Sequence, residues 1–344
     1  MLEKVILPVL LLCAGTLYSQ TKPEYFPDDV DANISVAEIR CYCKPGVRNK
    51  SRSKGLEFSY NLVGKSTYEP ESHATSGPLS KYTNLQSIRF SLKAPILNKP
   101  GIKLLAGYRY VSESFAFSQY GPDFKETFEA MDSKRFHSHS FDMLFTKSID
   151  EKRYLSLRLR NSCNGNYSGV VVFNDRYNIY KALALFGVKK DEDREWGFGV
   201  NFSTGFRRRT SILPFVLYNR NFNEKWAIES ALPAFVFVRR NLHGRTLLLG
   251  GIEYNGQSYR LDVDQNTPAP LDYAFNHSEI LASVQLEQQV SGWIWMNFKV
   301  GYQYNLSSDF ESKNLNSEAF KVEPTNAPFF RIGLFLSPPA HLVK

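Results

Sequence analysis

The residues best placed to do chemistry in this 344-residue chain are charged side chains set on the polar side of alternating segments. They are Glu57, Arg89, Lys93, Lys103, Arg109, Asp142, Arg158, Arg160, Glu195, Glu229, Arg245, Glu253, Glu279, Glu287, Lys299 and Arg331. Cations group in the first half, from Arg89 to Arg160. Carboxylates group in the second, from Glu195 to Glu287. On a closed cylinder of strands those halves face each other. Two outcomes stay open: ion pairs at contact distance that fill a narrow lumen, or a watered space with a transverse field that orients dipolar solutes.

Other reactive patterns are thin. His137 and His139 share a strand face with Phe141 and Met143, and a His pair can bind metal. No third ligand is identifiable, and that face is the apolar one near an outer rim, so interfacial side chains are the better reading. Barrel hydrolases embedded in membranes use a His and a Ser on neighbouring outward positions. None of His73, His137, His139, His243, His277 or His341 has Ser two residues on. The chain has no Gly-x-Ser-x-Gly, phosphate loop or metal-binding helix motif. We expect no enzyme, no metal and no cofactor. Cys41, Cys43 and Cys163 are an odd set once a leader carrying Cys13 is removed, and read as incidental thiols. The net charge of +8 is spread over strand faces and turns with no aromatic-basic platform, which argues against nucleic acid.

The elements that must position these charges have a period of two. Leu56, Phe58, Tyr60 and Leu62 alternate with Glu57, Ser59 and Asn61. Trp196, Phe198, Val200 and Phe202 alternate with Gly197, Gly199 and Asn201. Ile294 to Tyr304 does the same against Asn297, Lys299, Gly301 and Gln303. Such alternation means strands with one apolar and one polar face. With 14% aromatic and 22% charged residues the chain is too aromatic and too weakly charged for disorder. A soluble barrel turns its apolar faces inward, whereas a transmembrane barrel turns them to lipid around a polar lumen. Strands of about ten residues or more, Tyr and Trp near their ends, and Gly and charge on the polar face favour the second.

The expected fold is therefore all-β: a transmembrane antiparallel up-and-down β-barrel of about 14 strands, with 12–16 allowed. The strands read near 55–65, 84–94, 102–115, 134–148, 153–161, 177–189, 195–206, 210–220, 225–231, 234–240, 246–260, 277–290, 293–306 and 326–337. Long external loops read as Ser66–Thr83, Ala116–Ser133, Ser162–Arg176, Leu261–Asn276 and Ser307–Thr325. Tight external turns are needed at Arg207–Arg209 and Leu232-Pro233; if the latter pair is one strand, count and sidedness change. Residues 1–19 read as a signal peptide, with a charged start, the apolar run Val5–Ala14 and a cut after Ser19. Residues 20–54 read as a polar periplasmic segment, with one short strand around Val36–Cys43. Its basic stretch Arg48–Lys54 reads as a solvated linker or as a contact for anionic lipid or a partner. The barrel takes 55–338, and 339–344 form a C-terminal tail.

The segments SLKAPILN (Ser91–Asn98), LLAGYRY (Leu104–Tyr110), LPFVLYNRNFNEKWAIESALP (Leu213–Pro233) and GIEYNGQSYRLD (Gly251–Asp262) follow Leu56–Tyr60 in order. In this the chain resembles an uncharacterised outer-membrane β-barrel family of the Bacteroidetes, over most of its length. The resemblance implies location in a Gram-negative outer membrane and a barrel fold, and no activity or substrate. Expected partners are outer-membrane lipid and, for insertion, the barrel-assembly machinery. Two functions stand: a passive channel or facilitator for small solutes, including apolar ones passing sideways, or a closed structural or interaction barrel presenting external loops.

Overall fold

The computed structural model describes residues 42–70, 78–206, 210–263, 271–312 and 319–337. The expected signal peptide, Arg207–Arg209 turn and C-terminal tail lie outside the described residues, as do residues 36–41 of the expected short strand Val36–Cys43, whose Tyr42 and Cys43 are not in a strand.

The strands are β1 (Leu56–Val63), β2 (Ser66–Pro70), β3 (Ser80–Lys99), β4 (Ile102–Gln119), β5 (Phe136–Ser148), β6 (Arg153–Gly165), β7 (Asn178–Asp191) and β8 (Arg194–Thr204). They continue with β9 (Thr210–Asn221), β10 (Trp226–Leu232), β11 (Phe235–His243), β12 (Thr246–Val263), β13 (Leu271–Ser291), β14 (Ile294–Ser312), β15 (Phe320–Pro324) and β16 (Ala327–Leu336). One helix, α1 (Lys125–Ser133), lies between β4 and β5. From β2 to β15 sequential neighbours pair antiparallel, β14 also pairs with β16, and β1 pairs with both β16 and β3, which closes the sheet into a 14-strand barrel. β2 and β15 pair with each other and continue the wall above β1 and β16. Pro233-Ala234 does make a tight turn, with Ala231 opposite Phe235. A residue without an N–H and locked in φ cannot continue a ladder there.

In the lower barrel, at the end with short turns, polarity is inside-out. Leu92, Met143, Leu157, Phe198, Val200, Val216, Val284, Val300 and Leu334 are all exposed on the outer wall. Their neighbours Ser140, Asp142, Glu195, Asn297 and Lys299 are buried inside. Trp196, Tyr218, Trp226 and Trp293 ring the lower edge of this apolar band, and Tyr254, Tyr302 and Tyr304 its upper edge.

Above the band the polarity reverses. Ala116–Ser133 is mostly turn and helix and Ser162–Arg176 mostly irregular, whereas among the described residues much of the other expected external loops is strand: β2, the upper ends of β3, β12, β13 and β14, and β15. Their inward residues are apolar. Tyr68, Tyr82, Phe115, Phe136, Leu261, Phe275, Phe310 and Phe320 form one core, completed by Phe128 and Met131 of α1 at 0% exposure. Two bulges help re-aim the strands. Thr83 has no partner between Tyr82 and Asn84, and Leu306 none between Asn305 and Ser307. One extra residue sends the following side chains to the opposite face. An apolar-out template therefore reads these segments as loops, because here the apolar side faces in.

The upper end of β12 also leaves the cylinder. Arg260 pairs with Gly165 of β6, on the far side of β7–β11. Asn164 donates to the Ser258 carbonyl (3.0 Å), and Asn166 and Asp262 bond reciprocally (both 2.9 Å). Two of the strands so bypassed are short, with 7 residues in β10 and 9 in β11.

Candidate functional site: chamber, wall gap and strap

Between the aromatic core and the lower mouth lies a chamber of about 780 Å³. Its wall is polar: Ser59, Ser91, Ser138, Ser140, Ser162, Asn164, Asn201 and Ser203, with Arg89, Arg109, Arg160, Lys181 and Arg331 as cations and Glu57 and Asp309 as acids. The residues come from many strands because a closed sheet turns every second residue inward.

The chamber reaches a gap in the wall. β10 pairs with β9 only up to Leu232 opposite Val216, so residues 210–215 of β9 pair with β8 alone. Across the opening, β11 ends against β12 at Phe235 opposite Glu253, with one further bond from the Tyr254 N–H to the Ala234 carbonyl (2.8 Å). Thr210, Ser211 and Leu213 on one rim, and Tyr254, Asn255 and Gly256 on the other, also line the chamber. Pro214 sits on the free edge, where a missing N–H is tolerated. The rim is apolar outward, with Ile212, Leu232 and Tyr254 exposed, and Leu213 is exposed on its chamber side.

Residues 42–54 form a strap across the lower mouth. Cys43 N–H donates to the Asp150 carbonyl (3.0 Å), Arg48 N–H to that of Glu192 (2.8 Å), and Asn221 donates to the Arg48 carbonyl (2.9 Å). Buried carboxylates hold it from inside. Glu195 accepts from Gly46 N–H (2.6 Å), and Glu229 from Ser51 N–H (2.9 Å) and its hydroxyl. Lys54 reaches Glu57 at 2.8 Å and Glu287 at 3.7 Å. Arg52 lies over the Trp295 ring, and the Tyr42 ring fills the space a side chain at Gly101 would need. Asn221 and Arg48 hold the Asp193 carboxyl below its usual range, and burial pushes the Cys43 thiol up. The basic stretch thus meets the barrel's own carboxylates and turn carbonyls.

The charges read from sequence sort into layers. Glu195, Glu229 and Glu287 serve the strap, and Glu229 also pairs with Arg239, which is 1% exposed (2.7 Å). Glu253 pairs with Lys299 (2.5 Å), Glu279 with His277 (2.9 Å) and Arg89 with Glu113 (4.0 Å). Asp142 binds Arg158 (2.9 Å) and Arg160 (2.7 Å). Arg331 lines the chamber, its Nε buried without a bond. The side chains of Lys93, Arg109 and Lys181 make no hydrogen bond or ion pair with any described residue. The two halves therefore do not oppose each other as free charge. The carboxylates are engaged locally, and the cations of β3–β7 are left in excess. Lys103 is exposed at the lower end of β4, and Arg245 lies exposed in the β11–β12 turn rather than on an inward strand position, where Leu247 and Leu249 point instead.

Lys181, Glu113, Arg239 and His277 escape sequence reasoning. Lys181 precedes the run ALALFGV and Arg239 follows FVFV, where both faces are apolar and alternation is silent. The signal left is the charge itself, since a cation in mid-strand of a membrane barrel belongs inside. His137 and His139 stand outside, near the rim as expected. Their Nδ1 atoms contact the hydroxyls of Tyr110 (3.0 Å) and Tyr108 (2.7 Å). Among the described residues, no group of three or more His, Cys, Asp or Glu could hold a metal.

No curated protein matches the sequence. Among solved structures, the chain is similar to a FadL homologue of Pseudomonas aeruginosa (9% identity, TM-score 0.44, covering 82% of this chain and 90% of that one). It is also similar to the toluene transporter TodX of P. putida (8%, TM-score 0.37, 83% and 91%) and to the outer-membrane protease OmpT of Escherichia coli (10%, TM-score 0.30, 83% and 99%). These likenesses are too distant to carry an activity. A family model matches residues 50–337, the whole barrel with the end of the strap, and the chain belongs to that family, the Domain of unknown function DUF6268.

Proposed function

We propose that the protein is an integral barrel of a Gram-negative outer membrane that admits small solutes to its chamber through the wall gap, as a channel or facilitator. Outer-membrane lipid and the barrel-assembly machinery are its proposed partners, and the Bacteroidetes family resemblance belongs to the same proposal. The short-turn end, with the strap, is then periplasmic.

The observation that carries the reading is the height of the gap. Along β14, Tyr304 lies ten residues beyond Ile294. At about 3.4 Å per residue and a tilt of about 40°, that apolar stretch covers about 26 Å, the thickness of a barrel's lipid band. β10 runs only from Trp226 to Leu232, and by the same arithmetic covers about 16 Å. The β10–β11 turn then stands inside the band, and the gap above it faces acyl chains.

A second reading has its own support. The strap crosses one mouth and the aromatic core fills the other end, which suits a closed structural barrel. Proteoliposome uptake of a small amphiphilic solute separates the two. Wild-type uptake above that of empty vesicles, reduced severalfold by Ser211→Trp on the gap rim, supports the facilitator. Wild-type uptake equal to empty vesicles supports the closed barrel.

A further inference from the structure

We propose that the cation-lined side of the chamber is a binding site for an anionic group of the phosphate or carboxylate type, centred on Arg109, Arg160 and Lys181. In the β6–β7 register Arg160 stands directly opposite Lys181. Like charges in that position destabilise a sheet. Arg109 adds a third cation, flanked by Arg160 and Arg158, and Lys93 a further one at the lower edge. Against them stands Asp142, whose carboxylate takes Arg158 Nε (2.9 Å), Arg160 Nε (2.7 Å) and Arg160 Nη2 (3.2 Å). The Arg109 and Lys181 side chains are left with no hydrogen bond or ion pair to any described residue.

The chamber's other acids do not supply the missing charge. Glu57 borders Lys93 but is held by Lys54 at 2.8 Å. Asp309 accepts from the Asn276 amide (2.9 Å), and no ion pair joins it to Arg109, Arg160 or Lys181. Glu253 and Glu279, which do not line the chamber, are taken by Lys299 and His277. Ser140, opposite Arg109, shares a 2.8 Å hydroxyl contact with Ser162, and Ser203 stands opposite Lys181. Guanidinium, ammonium and hydroxyl donors converging on a space are the set that binds an oxyanion. The anion has two possible sources. It is a free aqueous ion, or it is the head of an amphiphile whose tail lies at the apolar gap rim of Ile212, Leu213 and Tyr254.

The inference rests on the proposed function only in that the chamber must be reachable. Binding is measured without transport, so the two fail separately. The refolded full-length barrel in a nonionic detergent is titrated calorimetrically with inorganic phosphate in one arm and n-octyl phosphate in the other. We expect saturable binding in at least one arm, weakened roughly tenfold or more per cation removed in Arg109→Gln and Lys181→Gln. Binding should be kept in Arg109→Lys, which controls for folding, and in Lys190→Gln at the exposed end of β7. Tighter binding of octyl phosphate assigns the site to an amphiphile head, and equal binding assigns it to a free anion. In anion-free buffer the Arg109→Gln, Lys181→Gln double variant should melt no lower than wild type, because it relieves repulsion. No saturable heat in either arm, binding unchanged in the double variant, or a double variant that melts lower would overturn the proposal.

Discussion

Glu229→Ala tests the interior of the β10–β11 hairpin and the anchoring of the strap together. Glu229 accepts from Arg239 Nε at 2.7 Å and from Ser51 at 2.9 Å. Arg239 is 1% exposed, and its other donors go to Asn241 (2.6 Å) and Asn221 (2.8 Å), both neutral. Removing the carboxylate leaves a buried guanidinium without a counter-charge, a change that costs about 3–5 kcal/mol. At about 1.36 kcal/mol per tenfold, the folded-to-unfolded ratio falls by roughly two to four orders of magnitude. Arg239→Met strands the carboxylate instead and costs a similar amount. In the Glu229→Ala, Arg239→Met double variant neither charge is left behind, so the double should cost several kcal/mol less than the sum of the singles. The assay is urea unfolding in lipid vesicles followed by tryptophan fluorescence. Additive single effects would refute the reasoning. The two side chains would then not meet, and the register that places Ala227 opposite Arg239 would be wrong.

Three further outcomes follow from the same layout. Phe198, 57% exposed at mid-strand, replaced by Arg should lose about 2–4 kcal/mol of insertion stability, whereas Asn201→Arg in the chamber should not; equal folding yields would mean the faces are inverted. Cys43 and Cys163 are buried free thiols, and Cys43 is shifted up by burial, so less of it is thiolate, the reactive form, at any given pH. Maleimide at neutral pH should label neither thiol until the barrel is unfolded, and rapid labelling of Cys43 alone would show that the strap leaves the mouth. Glu195→Gln removes the charge on the oxygen that accepts from both Gly46 N–H (2.6 Å) and Tyr154 (2.8 Å), and puts an amide donor where Asn219 now donates (2.7 Å); it should expose the strap to limited proteolysis before any strand, and an unchanged digestion pattern would remove Glu195 as an anchor.

Much of the barrel was legible because lipid and water sort side chains at a period of two. Alternate residues from Trp196 to Phe202 and from Ile294 to Tyr304 point outward as the period implies, and Pro233 marks the turn between β10 and β11. What alternation cannot report is height. Tyr259, Leu261, Tyr273 and Phe275 alternate as cleanly, but above the lipid band the same period means apolar inward, so strands pass for loops. Nor can it report what a charge meets. Glu195, Glu229 and Glu287 were visible as inward residues, yet their partners come from a non-strand segment that crosses the mouth and has no period to read. The wall gap was hidden for a third reason. It is made by hydrogen bonds that stop at Val216 and Tyr254, and unpaired backbone leaves no mark on residue type beyond Pro214.

The central claim is that the β10–β11 turn stands in the acyl region, so that the gap above it opens to the bilayer. It is tested most directly by a bimane probe on Ala234→Cys, in a chain whose own cysteines are replaced, reconstituted in vesicles. Acyl-chain-brominated lipids should quench the probe and aqueous iodide should not. Strong quenching by iodide with none from brominated lipid would put the turn in water and contradict the account.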